Sequence, residues 1–71
     1  MMISKEEALR IAHQDASQIY QDLSIYDVTA TSEDGNWHVS YLLTDPRLVG
    51  GGPDYVIDGE TGKILSFRYG Q

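Results

Sequence analysis

The sequence predicts an α+β fold in which one N-terminal helix packs on an antiparallel meander sheet of three to four strands. Three observations lead to this fold class. Apolar residues recur at helical spacing over residues 5–22, and from residue 25 onward they alternate with polar residues in short segments. Turn-forming sequences separate these segments, so neighbouring strands are expected to pair in chain order.

The predicted helix extends from about Lys5 to Asp22 and carries its own start signals. Ser4 is a suitable N-cap, Glu7 three residues later completes a capping box, and Ile3 is placed to pack onto Ala8. The apolar stripe that follows is Ala8, Leu9, Ile11, Ala12, Ala16, Ile19, Tyr20 and Leu23. The opposite, water-facing side carries His13, Gln14, Asp15, Ser17, Gln18 and Gln21.

The first two strands are predicted from a period of two. In residues 25–32 the apolar side is Tyr26, Val28 and Ala30. The sequence EDGN, with Asp34 and Gly35 at its centre, is typical of a hairpin turn. The second strand then places on one face Trp37, Val39, Tyr41 and Leu43, and on the other His38, Ser40, Leu42 and Thr44.

The last two strands, DYVID and KILSFRYG, are joined by the turn GETG. In this turn Asp58 can accept hydrogen bonds from the amides that follow it, and Gly62 supplies a positive φ. The loop is too short for the ligand spacing of a calcium-binding loop. The pattern leaves open which side of the last strand faces inward, because Ile64 and Leu65 both favour burial.

Five of the seven glycines lie in residues 45–65, and three of them form the run Gly50 to Gly52. Phosphate-binding glycine loops need a helix after the loop, whereas Pro53 and a strand follow here. We therefore expect the glycines to shape a bend or a bulge. The connector over residues 45–53 is also a candidate recognition loop, since binding residues concentrate in loops.

Composition limits the domain organisation and the cellular setting. The 71 residues, 41% of them hydrophobic, suffice for one domain, residues 1–71, with one small core. The absence of cysteine excludes disulfides and thiolate metal sites and suits a reducing compartment. The start MMISKEEALRIA is charged and unlike a signal peptide, and no run approaches the roughly 20 apolar residues of a membrane helix. We therefore expect a cytoplasmic protein that does not bind membranes.

The net charge of −6 disfavours nucleic-acid binding, because a negative protein repels the phosphate backbone. Residues 1–36 hold seven acidic and two basic residues, and residues 37–71 hold four and three. This excess has two explanations, which are solubility and the electrostatic steering of a basic protein partner.

No arrangement of residues predicts catalysis, a metal site or a cofactor. His13 and His38 have no neighbour at a metal-binding spacing, and no nucleophile and base pair can be argued from the chain. The five tyrosines and Trp37 are expected to pack in the core. We therefore expect a protein that is not an enzyme, uses no cofactor and binds another protein.

The candidate partner-binding residues lie in the long connector and on the neighbouring strands. They are Trp37, His38, Asp45, Arg47, Leu48 and Asp54. An open sheet edge would also allow two copies of the chain to pair as a homodimer.

The C-terminal half contains, in this order, GNWHVSY, the GGGP loop and YVIDGETGKIL. With this order of motifs it resembles the small bacterial NTF2-fold immunity proteins, and the N-terminal EEALRIA is similar to that family's helix. The matching positions are Trp37, Val39, Gly51, Gly52, Ile57, Asp58, Gly62, Lys63 and Ile64. The resemblance implies a non-enzymatic protein that neutralises a toxin, for which a basic effector such as a nuclease is a suitable partner.

The chain also resembles the PepSY-like group, whose units of one helix and a sheet share the ending ID..TGK.L. This second resemblance implies peptidase inhibition or ligand binding at the cell envelope. The compact single helix on a sheet favours the PepSY-like group and is an arrangement similar to that of cystatins, whereas the name of the NTF2-fold family implies a larger, cone-shaped fold with more helices than 71 residues allow.

Overall fold

The helix and the strands follow one another in the predicted order. The computed structural model describes residues 2–20, 22–44, 47 and 52–69. In these residues the chain forms helix α1 (Lys5–Ala16) and strands β1 (Tyr26–Glu33), β2 (Asn36–Leu43), β3 (Asp54–Asp58) and β4 (Ile64–Arg68). The strands form one antiparallel sheet in the order β1-β2-β3-β4, and α1 packs against one of its faces. The predicted α+β fold is therefore confirmed.

Helix α1 begins as its capping residue predicts. Ser4 has an extended backbone, and its Oγ accepts a hydrogen bond from the amide of Glu7 at 3.1 Å. The carboxylate of Glu7, which a complete capping box would use at the N-cap, instead accepts hydrogen bonds from the guanidinium of Arg10 one turn later. The start of the helix is thus stabilised by the cap and by an ion pair on its exposed side.

Helix α1 ends at Ala16, so the prediction that it continues to residue 22 was wrong. After Ala16 the amides of Gln18 and Ile19 donate to carbonyls three residues back, which tightens the chain into a turn. Serine and β-branched isoleucine favour a helix less than the alanines before them. The turn leaves Ile19 exposed and brings Tyr20 against the core.

The connection between β1 and β2 is a two-residue hairpin. Glu33 pairs with Asn36, and the two residues between them have positive φ, 53° at Asp34 and 80° at Gly35. This is the backbone geometry that a tight hairpin requires and that aspartate and glycine tolerate best. The predicted turn is confirmed, and it sets the register of the whole β1–β2 pair.

The core lies between α1 and the inner face of the sheet. Three alanines spaced one turn apart are fully buried and let the helix approach the strands closely. The buried residues are Ala8, Ala12, Ala16, Ala30, Val39, Tyr41, Tyr55 and Ile57. Burying an aliphatic side chain such as Ile57 contributes roughly 1.5–3 kcal/mol, so a few strand residues supply much of the stability of this small domain.

Strand β4 is irregular, and this decides which of its residues face the core. The pairing of β3 with β4 shifts between Val56 and Ile57, so that Ile57 lies opposite Ile64. Ile64 packs against the core, whereas Leu65 is 51% exposed. The question that the sequence pattern left open is answered by the bulge.

Gly52 is required by a close approach of two backbones. A Cβ on Gly52 would lie 2.6 Å from both Cβ and O of Tyr41, and the Gly52 amide donates to that carbonyl at 3.1 Å. This glycine therefore continues the pairing of β3 with β2 and has a structural role. Gly50 and Gly51, like the candidate residues Asp45 and Leu48, lie outside the described residues.

The turn between β3 and β4 has the predicted hydrogen bonds. Oδ1 of Asp58 accepts from the amide of Glu60 at 2.8 Å, and the Gly62 amide donates to the carbonyl of Asp58 at 2.8 Å. Gly62 has a φ of 78°. The sequence GETG is therefore a tight turn.

Candidate functional site

A concave apolar surface lies between α1 and the edge strand β1. Its volume is about 600 Å³. We call it the apolar groove; it is formed by Leu9, Leu23, Tyr26, Val28 and Tyr41, with Glu6, Arg10, His13 and Ser24 at its rim. The groove exists because the core helix leaves part of β1 uncovered, and Val28 is accordingly 43% exposed. Exposed apolar concavities of this kind are typical of binding sites.

The rim of the apolar groove carries charges that are partly neutralised within the helix. Arg10 forms an ion pair with Glu7, and this hydrogen bond lowers the pKa of Glu7 and raises that of Arg10. Both side chains are exposed, so the pair adds little stability. Burial raises the pKa of the Tyr41 phenol in the groove, which keeps it neutral at ordinary pH. The groove can therefore bind a partner through apolar contacts, and neutral and charged groups are available at its margin.

The sheet face opposite α1 forms a second, more polar concavity. Its volume is about 380 Å³. We call it the polar sheet face; it is lined by His38, Ser40, Asp54, Val56, Ser66 and Arg68, and Tyr55 and Phe67, whose side chains lie on the helix side of the sheet, are at its margin. The strand register places His38 opposite Val56, and Asp54 opposite Arg68. Hydrogen-bonding and charged side chains are thus arranged across three strands.

Two of the six predicted partner-binding residues, His38 and Asp54, are brought together on the polar sheet face. Trp37 points to the other side, where its Nε1 donates to the carbonyl of Ile3 at 3.0 Å. That indole is half-buried and anchors the segment before α1. Arg47 is exposed.

All five tyrosines form a closed chain of ring contacts at the inner side of the sheet. Neighbouring ring centroids are 6.1–6.5 Å apart, and most pairs are edge to face. The order is Tyr20, Tyr26, Tyr41, Tyr55, Tyr69 and back to Tyr20. The expectation that the tyrosines pack in the core is confirmed for Tyr41 and Tyr55, and the other three are partly buried around them.

The placement of Asp15 on the water-facing side of the helix was wrong. Its Oδ2 accepts hydrogen bonds from the hydroxyls of Tyr55 and Tyr69 at 2.8 and 2.9 Å. Desolvation and these bonds raise the pKa of both phenols. One feature of the sequence does indicate this position. Asp15 follows Ala12 by three residues and therefore lies at the margin of the buried stripe.

The described part of the chain provides no cluster of three or more His, Asp or Glu side chains that could hold a metal ion. Over the same residues, no helix has the length and apolar character needed to cross a membrane.

Comparison of the chain with models of protein families, with curated proteins and with solved structures found no match.

Proposed function

We propose that this protein is a non-enzymatic binding module for a basic protein partner, and that it acts in the cytoplasm as an immunity protein that neutralises a bacterial toxin. The toxin-neutralising role rests on the resemblance of the C-terminal half to immunity proteins. The binding role rests on the surface of the domain.

The observation that carries the binding role is the position of the apolar groove beside an acidic edge strand. The groove offers apolar area for a partner side chain, and the strand β1 that forms its edge carries Asp27 and Glu33 on the opposite, outer side of the sheet. The part of the chain that forms α1 and β1 also holds most of the acidic excess. Such a field accelerates encounter with a basic surface and favours a partner of opposite charge.

The first experiment tests protection and capture together. The product of a toxin gene adjacent to this one is co-expressed with the protein, and the purified pair is measured by calorimetry. We expect protection of the cells and a dissociation constant in the nanomolar range, which corresponds to about 12 kcal/mol. A gene neighbourhood without an effector, together with no protection, would contradict the immunity role.

The second experiment tests the acidic edge. We expect Asp27→Lys to slow association about threefold or more at low salt, because it reverses a charge on the edge strand β1. The matched control is Glu60→Lys, an exposed change of the same kind in the turn between β3 and β4. Equal association rates for the two variants would show that the partner does not approach this edge.

His38, Asp54 and Arg47 stay candidate contacts in this proposal. Alanine variants of His38 and Asp54 in the same capture assay test the polar sheet face independently of the groove. An effect confined to these two variants would place the partner on the outer face of the sheet.

The second candidate function is that of a PepSY-like peptidase inhibitor or ligand-binding domain. A single helix over a four-stranded sheet favours it, as does a groove whose volume lies in the range of small-molecule sites. This function predicts an exported protein and inhibition of a peptidase. Fractionation of the native host cells separates the two candidates, because the immunity role predicts cytoplasmic protein.

A further inference from the structure

Strand β1 is an edge of the sheet without the usual protection against pairing. It is eight residues long, keeps an unshifted register with β2 and contains neither proline nor lysine. The other edge, β4, has five residues, a bulge and Arg68. Short length, bulges and charged side chains are common ways to block strand addition; the charges of β1 are the acidic Asp27 and Glu33, so β1 is the edge that remains open to a strand with basic side chains.

The hydrogen-bonding groups at this edge can be assigned from the register. The Thr44 amide donates to the carbonyl of Ile25 at 3.0 Å. Because hydrogen-bonded pairs alternate along an antiparallel ladder, the odd-numbered residues of β1 are those whose backbone groups bond β2. Tyr41, the partner of Val28, directs its amide and carbonyl to Pro53 and Gly52 on the β3 side. The amides and carbonyls of Val28, Ala30 and Ser32 therefore point outward from the sheet.

The side chains of β1 define what an added strand would carry. Tyr26 and Val28 lie on the groove side, whereas Asp27 and Glu33 lie on the outer side. Residues that pair across two strands share a face. A strand added to β1 would thus place one set of side chains at the apolar groove and the alternate set beside the two carboxylates.

We propose that β1 binds an extended segment of a protein partner in which Lys or Arg alternates with apolar residues, and that this segment adds to the sheet as a fifth strand. This inference rests on the proposed capture of a basic protein and specifies how that capture occurs. Charge complementarity selects this occupant over a second copy of the chain, because a copy would bring its own Asp27 and Glu33 and a net charge of −6.

The first test uses the ¹⁵N-labelled full chain and a synthetic peptide of alternating Lys and Val that matches β1 in length. We expect saturable amide shifts at Val28, Ala30 and Ser32, slower hydrogen exchange at these amides, and weaker binding at higher salt. A Glu and Val peptide and a Lys and Val peptide N-methylated at every second residue are the controls. Binding of the N-methylated peptide with unchanged affinity, or shifts confined to His38 and Ser40, would overturn strand addition.

The second test removes one outward amide. Ser32→Pro deletes a donor at the open edge without removing a β2 hydrogen bond, and Ser32→Ala is its matched control. We expect the proline variant to bind the peptide about tenfold more weakly and the alanine variant to bind it unchanged. If circular dichroism shows that Ser32→Pro does not fold, Val28→Lys replaces it in this test. That variant places a charge in the groove at a half-exposed position. Unchanged peptide binding by the folded variant would overturn the proposal.

The outcomes separate this inference from the proposed function. If the toxin is captured with equal affinity by the wild type and by Ser32→Pro, strand addition is wrong and the binding role stands. If the toxin is not captured at all but the peptide shifts the three edge amides, strand addition is supported and the immunity role is wrong. Sedimentation that shows a homodimer broken by Ser32→Pro would assign the edge to a second copy and overturn the proposal.

Discussion

The hydroxyl of Tyr55 donates a 2.8 Å hydrogen bond to Oδ2 of Asp15, a residue 40 positions earlier in the chain. Tyr55 is 1% exposed, and its ring contacts Tyr41 and Tyr69. The same carboxylate oxygen accepts the hydroxyl of Tyr69. This pair of bonds joins the last turn of α1 to β3 and to the segment after β4, so it fixes the helix on the sheet.

The Tyr55 hydroxyl is expected to make a measurable contribution to stability. Tyr55→Phe should lower the free energy of unfolding by roughly 1.5–3 kcal/mol, as is usual for a hydrogen bond to a charged group. Urea unfolding followed by circular dichroism measures the change. Tyr26→Phe is the matched control, since it keeps the ring contacts with Tyr20 and Tyr41, and it should stay within about 0.5 kcal/mol of the wild type. Equal effects of the two variants would contradict the role assigned to the Tyr55 hydroxyl.

Alkaline pH should destabilise the protein through the same tyrosine. Desolvation is the main cause, and the hydrogen bond to Asp15 the second, of a pKa of Tyr55 well above its ordinary value. The unfolded chain releases this phenol proton near pH 10 while the folded chain retains it. The free energy of unfolding should therefore be independent of this group below about pH 10 and fall above it, by up to about 1.4 kcal/mol per pH unit. Urea unfolding across this range should show a smaller slope for Tyr55→Phe, and an identical slope would refute the assignment.

Gly52→Ala should destabilise the fold because the new methyl group meets the backbone of β2. Its Cβ would lie 2.6 Å from the carbonyl oxygen of Tyr41. We expect a loss of about 1–3 kcal/mol in the free energy of unfolding, typical of overpacking. Gly35→Asn is the control, since the site is open and asparagine tolerates positive φ in a hairpin turn. If Gly52→Ala left the free energy of unfolding unchanged, the contact between the backbones of Gly52 and Tyr41 would be looser than the 2.6 Å distance implies.

Trp37→Phe should release the segment that precedes α1. The indole Nε1 donates to the carbonyl of Ile3, which a phenyl ring cannot do. We expect a loss of roughly 0.5–1.5 kcal/mol and faster hydrogen exchange at the amide of Ile3, which donates to the carbonyl of Gly59. His38→Ala, next to it on the opposite face, should leave exchange at Ile3 unchanged. Unaltered exchange in Trp37→Phe would mean that the indole does not anchor this segment.

Local signals in the sequence predicted most of the secondary structure. Ser4 sets the start of α1 through its own hydrogen bond, and Asp34 with Gly35 sets the first hairpin through backbone conformation. Both depend on residues that are close in the chain. The end of α1 was predicted too late, because the apolar spacing continues through Ile19 and Tyr20 although the helix has already ended at Ala16, where residues of lower helix propensity follow the alanines.

The candidate surfaces were harder to predict than the strands. The apolar groove combines residues from α1, from the loop before β1 and from two strands, and it exists because the helix leaves Val28 uncovered. Alternation did place Trp37 and His38 on opposite faces. It could not tell which face the helix would cover, so both residues were candidates for partner contact.

The sequence by itself determined the order of one helix and four strands, the tight turns and the acidic character of the N-terminal half, because each follows from residues near one another or from composition. Tertiary structure decided that Asp15 binds two tyrosines, that Ile64 faces inward while Leu65 does not, and that β1 is left as an open acidic edge. These features depend on the approach of segments far apart in the chain, which is governed by packing and strand register and is not specified by the local pattern.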